Sequence, residues 1–501
     1  MAVPRGIGGP VPELGAAPRL GAAAAPIGSR GPRALEAPTG RSSWRWSSRE
    51  AAEFIWPSLH GVRGPGFWLN PVHWIAARKQ FRRDHTVEWR QRYENDAPTT
   101  PDRAGDFRDL IASPDLGRGF SFLILGDTGE GDRSQYGLLP LIRGLDPDFI
   151  IINGDLAYPA GSEKDFVEGF FQPYQNLRMP IWAVPGNHEY YSPHNGREFF
   201  DLFCTTKHTR LWQDYGLRFV RQPGTYWELS SPDCPLVVLA LDSGMTASLD
   251  PARKLFGLLK SDGDSAQLAW FERRLAVAQA GGKRVLVLFR IPSLVNLKKA
   301  SQPKLDGLHG ILGRFSQTIT GVVTAHEHSF QHYAPEQFAR FLSGGTMPGP
   351  HYFVSGSGGA FLSPIEFDAA HGRFAASYLF PSKRQWKDYA RLSKKAASAL
   401  GLARTALARA ISSLSGALFD RDIARYQSLL RVQVTPAARG GFTATMMPYF
   451  QNSLEELYFD QPNAIVVVRD GTPRPSPEAM ERLTRRRLDE PGTEISVQLA
   501  P

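Results

Sequence analysis

The sequence predicts an α/β fold, and two observations carry that reading. Short apolar runs recur at 122–125, 149–152, 181–184, 236–241, 285–289 and 321–324, each the length of a buried strand, with helix-compatible stretches between several of them. Four compact polar blocks stand among these runs in order: Gly-Asp-Thr-Gly at 126–129, Gly-Asp-Leu-Ala-Tyr at 154–158, Gly-Asn-His-Glu at 186–189 and Ala-His-Glu-His at 325–328. Three of the four directly follow apolar runs bounded by Gly or Pro, as strand ends do. Residues delivered by adjacent strand ends converge on one point, which is where α/β folds commonly place their sites.

Taken in chain order, residues 1–50 are rich in Gly, Pro, Ala, Ser and Arg and poor in large aliphatics, so they read as a disordered tail. Residues 51–117 form an arm in which Trp56, Phe67, Trp68, Trp74, Phe81 and Trp89 alternate with Arg and Lys. Aromatics mixed with cations suit single-stranded nucleic acid. The large burial energy of Trp and Phe favours instead an arm docked on the core, and nucleic acid is not the expected partner. The principal domain spans 118–360. It closes with His351-Tyr-Phe-Val-Ser running into Gly-Ser-Gly-Gly at 356–359, a strand entering a tight turn. Residues 361–470 read as a helical insertion followed by closing strands. In the helix predicted over 388–425, Leu392, Ala396, Leu400, Ala403, Leu407, Ile411, Leu414 and Leu418 form one stripe, with Arg391, Lys394, Lys395 and Arg409 roughly opposite. The basic amphipathic part, 388–418, either packs on the core or lies against an anionic membrane surface. Alternation at Val432-Gln-Val-Thr and Phe442-Thr-Ala-Thr-Met, and the apolar run 464–468, return the chain to a sheet. Residues 471–501 read as a loose polar tail.

At 501 residues and 42% hydrophobic content the chain suits one large domain with additions. Its net charge of +9 is concentrated: residues 381–410 hold eight Lys or Arg against the single Asp388, a run that suits a solvated helix face or a phosphate-rich partner. Two cysteines, Cys204 and Cys234, exclude a disulfide scaffold while leaving one bridge open. No secretory signal or membrane-length apolar stretch is read, and the expected location is the cytoplasm.

The four blocks resemble those of the calcineurin-like metallophosphoesterases, and the resemblance covers 118–360. It implies a four-layer αββα sandwich of two mixed sheets, one or two divalent or trivalent metal ions (Fe, Mn or Zn), and hydrolysis of a phosphomonoester or phosphodiester by metal-activated hydroxide. Position by position, it implies that Asp127 binds the first metal, Asp155 bridges both, Asn187 and His326 bind the second, and His328 returns to the first. Many members carry another ligand His where this chain has Gly129. Tyr158 matches the position of the metal-bound tyrosinate of purple acid phosphatases, which biases the first site toward ferric iron. His188 is implied to be catalytic rather than a ligand, stabilising the transition state or protonating the leaving oxygen. Tyr190 and Tyr191 either line the pocket or pack on the core.

One departure stands out. The strand 285–289 ends in Arg290-Ile-Pro, where the family usually has His-x-Pro with a ligand His. A guanidinium stays protonated and donates no lone pair. Three readings follow: a weakly bound second metal completed by water or substrate, an Arg290 that takes catalytic part by holding phosphate in that metal's place, or a catalytically impaired chain that keeps the fold to bind phosphate ligands or a partner. His194, His208, His309 and His332 are further histidines of the domain that sequence alone leaves unplaced. Substrate identity and oligomeric state leave no motif.

Overall fold

The computed structural model describes residues 101–111, 113–131, 133–136, 138–192, 194, 196–243, 265–295, 306–345, 349–360, 376, 378–380, 427–437, 441–450, 466–469, 472–475 and 495–499. The tail 1–50, the tryptophan-rich arm up to residue 100 and the helix expected over 388–425 lie outside the described residues.

Two mixed sheets dominate. The strands, in chain order, are β1 (Ala104–Asp106), β2 (Phe120–Leu125), β3 (Phe149–Asn153), β4 (Ile181–Val184), β5 (Trp227–Ser230), β6 (Leu236–Leu241), β7 (Arg284–Phe289), β8 (Ile319–Thr324), β9 (Phe330–Tyr333), β10 (His351–Ser355), β11 (Tyr378–Phe380), β12 (Ser428–Pro436), β13 (Phe442–Phe450), β14 (Val466–Arg469), β15 (Thr472–Pro475) and β16 (Ile495–Leu499). One sheet runs β16-β13-β12-β2-β3-β4, the other β1-β5-β6-β7-β8-β10-β9-β11, and β14 pairs with β15 as a separate hairpin. In the first, β2, β3 and β4 are parallel while β12 joins the free edge of β2 antiparallel. In the second, β6, β7, β8 and β10 are parallel.

The apolar runs are continuous because both faces of each central strand are covered. Side chains of a strand alternate between faces. Phe122 and Ile124 of β2, Phe149 and Ile151 of β3, and Trp182 and Val184 of β4 therefore point to the other sheet, where they meet Val238 and Ala240 of β6, Leu286 and Leu288 of β7, and Val323. The intervening residues Leu123, Leu125, Ile150 and Ile152 face outward against Leu139, Ile142, Phe166, Phe170, Phe199 and Trp212 from the helical segments of that side. Val285, Val287 and Phe289 likewise face Trp270, Phe271, Leu275, Leu308, Leu312 and Phe338, from the helices Ser265–Ala280, Asp306–Arg314 and Pro335–Ser343. The order of layers is helix, sheet, sheet, helix.

Two strands fall in the segment 471–501 that reads as a polar tail: β15 pairs with β14, and β16 adds to the edge of β13. The alternation Ile-Ser-Val-Gln-Leu of β16 is a strand pattern that the polar average of the segment conceals. Cys204 and Cys234 are both free, buried thiols, and burial pushes the Cys234 thiol up to about 11. Among the described residues no helix is long and apolar enough to cross a membrane.

Candidate functional site

The loops after β2, β3 and β8 each hold one non-glycine residue with positive φ: Asp127 at 57°, Asp155 at 52° and His326 at 69°. Few non-glycine residues adopt this left-handed conformation, and clusters of it mark sites where the fold holds side chains in unusual directions. Backbone bonds tie the first two loops together: Asp127 N donates to Gly154 O (3.0 Å), Thr128 N to Asp155 O (3.0 Å), and Tyr158 N to Gly129 O (3.0 Å). This zipper explains Gly129, because a Cβ there would lie 2.2 Å from the carbonyl carbon of Leu156. No side chain fits at that position, and the phenol of Tyr158 enters the cluster from the neighbouring loop instead.

The glycine-rich turn after β10 wraps the first block from the other side. Gly358 N donates to Gly126 O and Ala360 N to Asp127 O, both at 2.9 Å. Asn153 fastens the two sheets at this end, its amide donating to Phe289 O (3.2 Å) and Val323 O (3.1 Å).

On this frame Asp127, Asp155, Tyr158, Asn187, His188, Arg290, His326 and His328 come together. The Tyr158 hydroxyl lies 3.2 Å from Asp127 Oδ1, 3.0 Å from Asp155 Oδ2 and 3.3 Å from His328 Nε2, and His328 Nε2 is 3.4 Å from Asp127 Oδ1. His188 donates its backbone N–H to Asp155 Oδ1 (3.1 Å), and its Nδ1 pairs with Pro159 O (2.7 Å). A carbonyl only accepts, so Nδ1 carries the proton and Nε2, 3.9 Å from Asp155 Oδ2, presents its lone pair to the cluster. The ring is held between Tyr158 and Tyr191 by edge contacts. Tyr191 also accepts from the Asn187 amide (2.8 Å), whereas Tyr190 bonds Asp242.

Arg290 is the centre of the arrangement, with its side chain only 1% exposed. Its Nη2 donates to Asp127 Oδ1 (2.7 Å) and to Asp155 Oδ2, and its Nη1 bonds Asn187 Oδ1 and His326 Nδ1. The Nε–H is buried without an acceptor. The stem passes between two glycines: a Cβ on Gly154 would lie 2.3 Å, and one on Gly186 2.7 Å, from Arg290 Cδ. The other unplaced histidines are engaged elsewhere: His194 with Glu198, His309 against Phe341, and His332 with His351, while His208 precedes the helix Thr209–Asp214.

Electrostatics follow from this packing. Burial opposes charge on Asp127, but the Arg290 guanidinium and His328 outweigh it and hold the carboxyl well below the usual carboxylate range. Burial likewise opposes charge on Arg290, and the Asp155 and Asp127 carboxylates overcome it. His326 is pushed well down by burial and by Arg290, so it meets the guanidinium as a neutral acceptor. His328 is raised despite burial because Asp127 accepts from it. Burial and the two carboxylates push the Tyr158 phenol well up.

The donor set fits one cation. Donors about 2.1 Å from a single ion stand roughly 3.0 to 3.4 Å apart in octahedral to tetrahedral arrangements; the separations of Tyr158 from Asp127, Asp155 and His328, and of His328 from Asp127, are of that size, and Arg290 Nη2 donates to the same Asp127 Oδ1 and Asp155 Oδ2. The phenol is needed for this set, since among the described residues no three His, Cys, Asp or Glu side chains form a metal group by themselves. The donors expected at a second position, Asp155, Asn187 and His326, are all turned onto the guanidinium, so they do not fit a second ion as they stand.

Sequence reasoning passed over Glu189. It is buried and accepts from four backbone N–H groups, Asp155 (3.1 Å), Leu156 (2.8 Å), Ala157 (3.1 Å) and Gly186 (2.6 Å), so one carboxylate sets the course of both the second and third blocks. Ser243 is a second omission: its Oγ accepts from the backbone of Arg290 (2.9 Å) and Ile291 (3.0 Å). Glu189 could have been suspected from its place in the third block, whereas nothing local to Ser243 signals its role.

Residues 120–330 match the family described as calcineurin-like phosphoesterase. Among solved structures the chain is similar to a purple acid phosphatase from yellow lupin (Lupinus luteus) seeds, with 12% identity and a TM-score of 0.37, the likeness covering 66% of this chain and 52% of that one. It is also similar to a dimetal phosphatase from Danio rerio, with 14% identity, a TM-score of 0.33, and coverage of 48% and 88%. The chain thus spans about half the length of the lupin phosphatase. No curated protein matches it.

Proposed function

We propose that the chain hydrolyses a phosphomonoester or phosphodiester at the cluster of Asp127, Asp155, Tyr158, Asn187, His188, His326 and His328, using metal. The observation that carries the proposal is the convergence of Asp127, Asp155, Tyr158 and His328 on one ion-sized space beside His188. A metal ion held by those four groups would polarise a phosphoryl oxygen and acidify water. The rest is the work of this chain. Asn187, His188 and His326 are partly open to solvent whereas Asp127, Asp155 and Arg290 are buried, so an ester approaches from the side of the three exposed residues. His188, fixed through Pro159, is the group positioned to move a proton at Nε2 to or from the ester oxygen.

A second reading is favoured by Arg290 itself. All four of its terminal N–H groups are taken by protein acceptors, as expected of a cluster balanced for stability or for binding rather than turnover. An aryl phosphate monoester and diester assayed with and without added Mn²⁺, Zn²⁺ or Fe separates the two. Metal-dependent turnover that Asp155→Ala removes is the expected result; a metal-loaded chain inert toward both esters would establish the binding reading. For the tyrosinate assignment, iron-loaded and oxidised protein should show a phenolate-to-ferric absorption band that Tyr158→Phe removes, and a colourless ferric protein would refute it.

A further inference from the structure

The cation expected at the second metal position is already part of the polypeptide: we propose that the Arg290 guanidinium permanently replaces the second metal ion, so that the folded chain takes up one metal ion and not two. This deepens the hydrolase reading and rests on its assignment of the first position to Asp127, Asp155, Tyr158 and His328.

Three observations carry it. The guanidinium bonds the three groups that would ligate the second ion, reaching Asp155 through Nη2, which also donates to Asp127 Oδ1 (2.7 Å), and Asn187 and His326 through Nη1, so an ion placed among Asp155, Asn187 and His326 would coincide with the arginine. It does not vacate the position by losing its proton, because a guanidinium stays charged in a protein. It cannot readily swing away either. The stem is confined between Gly154 and Gly186, the backbone N–H groups of Arg290 and Ile291 are both anchored on Ser243 Oγ, and Arg290 O accepts from Ala325 N (2.9 Å).

The consequence is chemical as well as stoichiometric. A metal ion has open coordination positions that a substrate oxygen can fill, whereas this guanidinium has spent its four terminal N–H groups on protein acceptors. It neutralises the carboxylates and orients Asn187 and His326, and leaves direct engagement of phosphate to the first ion and to His188.

The test counts ions in the full-length protein. Mn²⁺ titration by calorimetry, with bound metal measured after gel filtration, should give one ion per chain for the wild type and two for Arg290→His, in which a neutral imidazole replaces the fork. Electron paramagnetic resonance of the Mn²⁺-loaded wild type gives the same information without a variant: an isolated six-line signal is expected, and the multiline spectrum of an exchange-coupled pair would overturn the proposal. Two tight ions in the wild type, none at all, or a folded Arg290→His that still holds only one would each overturn it. One ion without turnover on either aryl phosphate would defeat the hydrolase reading and leave this one standing.

Discussion

Asp155 and His188 touch one another, yet their removal should separate metal from turnover. The Asp155 carboxylate faces Arg290, Tyr158 and the His188 backbone together, so Asp155→Ala takes a donor from the ion and leaves a buried guanidinium short of a counter-charge. We expect Asp155→Ala to lose bound metal and turnover together. His188 contributes no donor to the ion-sized space, and His188→Ala should keep the metal while kcat falls by about 10² to 10⁴, the usual worth of a positioned proton-transfer group. Metal analysis beside steady-state kinetics reads both; wild-type turnover in His188→Ala would disprove its role. Asp127, Asp155, Asn187, His326 and His328 could be named from sequence because they stand in short blocks that carry a family resemblance, and the fold brings them together. The partners of Arg290 were not legible. They come from loops up to 163 positions away, and only folding shows that the arginine meets four of the expected site residues rather than solvent or substrate.

At the scale of elements, the loops after β3 and β4 are held by the Glu189 carboxylate rather than by a regular ladder. Glu189→Ala should strand four buried backbone N–H groups at a cost of roughly 3 kcal/mol or more, seen as a lower urea midpoint, with Glu189→Gln intermediate; an unchanged midpoint would show that other acceptors serve that backbone. The β9–β10 pair offers a pH effect. His332 Nε2 and His351 Nδ1 are 3.1 Å apart, and burial together with the His351 charge lowers His332 to about 4. The unfolded chain, with this group near 6.5, therefore takes up the proton first, so the stabilisation is complete above 6.5 and is lost as pH falls from there through 4. The loss amounts to about 3 kcal/mol. His332→Phe should flatten the fall in melting midpoint between pH 7 and pH 4.5, and an equal fall in both proteins would refute the assignment. The apolar strands β2, β3, β4, β6, β7, β8 and β10 were legible because burial on both faces writes a continuous run. The short strands β1, β5, β9 and β11 were not, because three or four residues carry no period, and their pairing is decided by partners far along the chain.

For the whole molecule, the decisive feature is that the sheet carrying the first two blocks is finished by strands that follow β2 more than 300 positions later. β12 lies along β2, with Leu430 opposite Ile124 and Val434 opposite Phe120, and β13 and β16 extend the sheet beyond it. Leu430, Val432, Val434, Ala444, Met446 and Phe450 belong to the same intersheet core as Phe122 and Ile124. The phosphoesterase match ends at residue 330, but the physical domain does not. A chain ended after residue 380 would bare the β2 edge and one wall of the intersheet core, exposing an apolar strand of the kind that recruits other chains. Each fully buried Val, Leu, Met or Phe side chain lost is worth about 1.5 to 3 kcal/mol, so the five of these together, about 8 to 15 kcal/mol, are comparable with the whole 5 to 15 kcal/mol that holds a typical domain folded. The truncated chain should therefore lack a cooperative thermal transition and near-ultraviolet circular dichroism, and elute as aggregate on gel filtration. A monomeric fragment that melts cooperatively and still binds metal would show that β12 and β13 are an accessory to the domain and not part of its core.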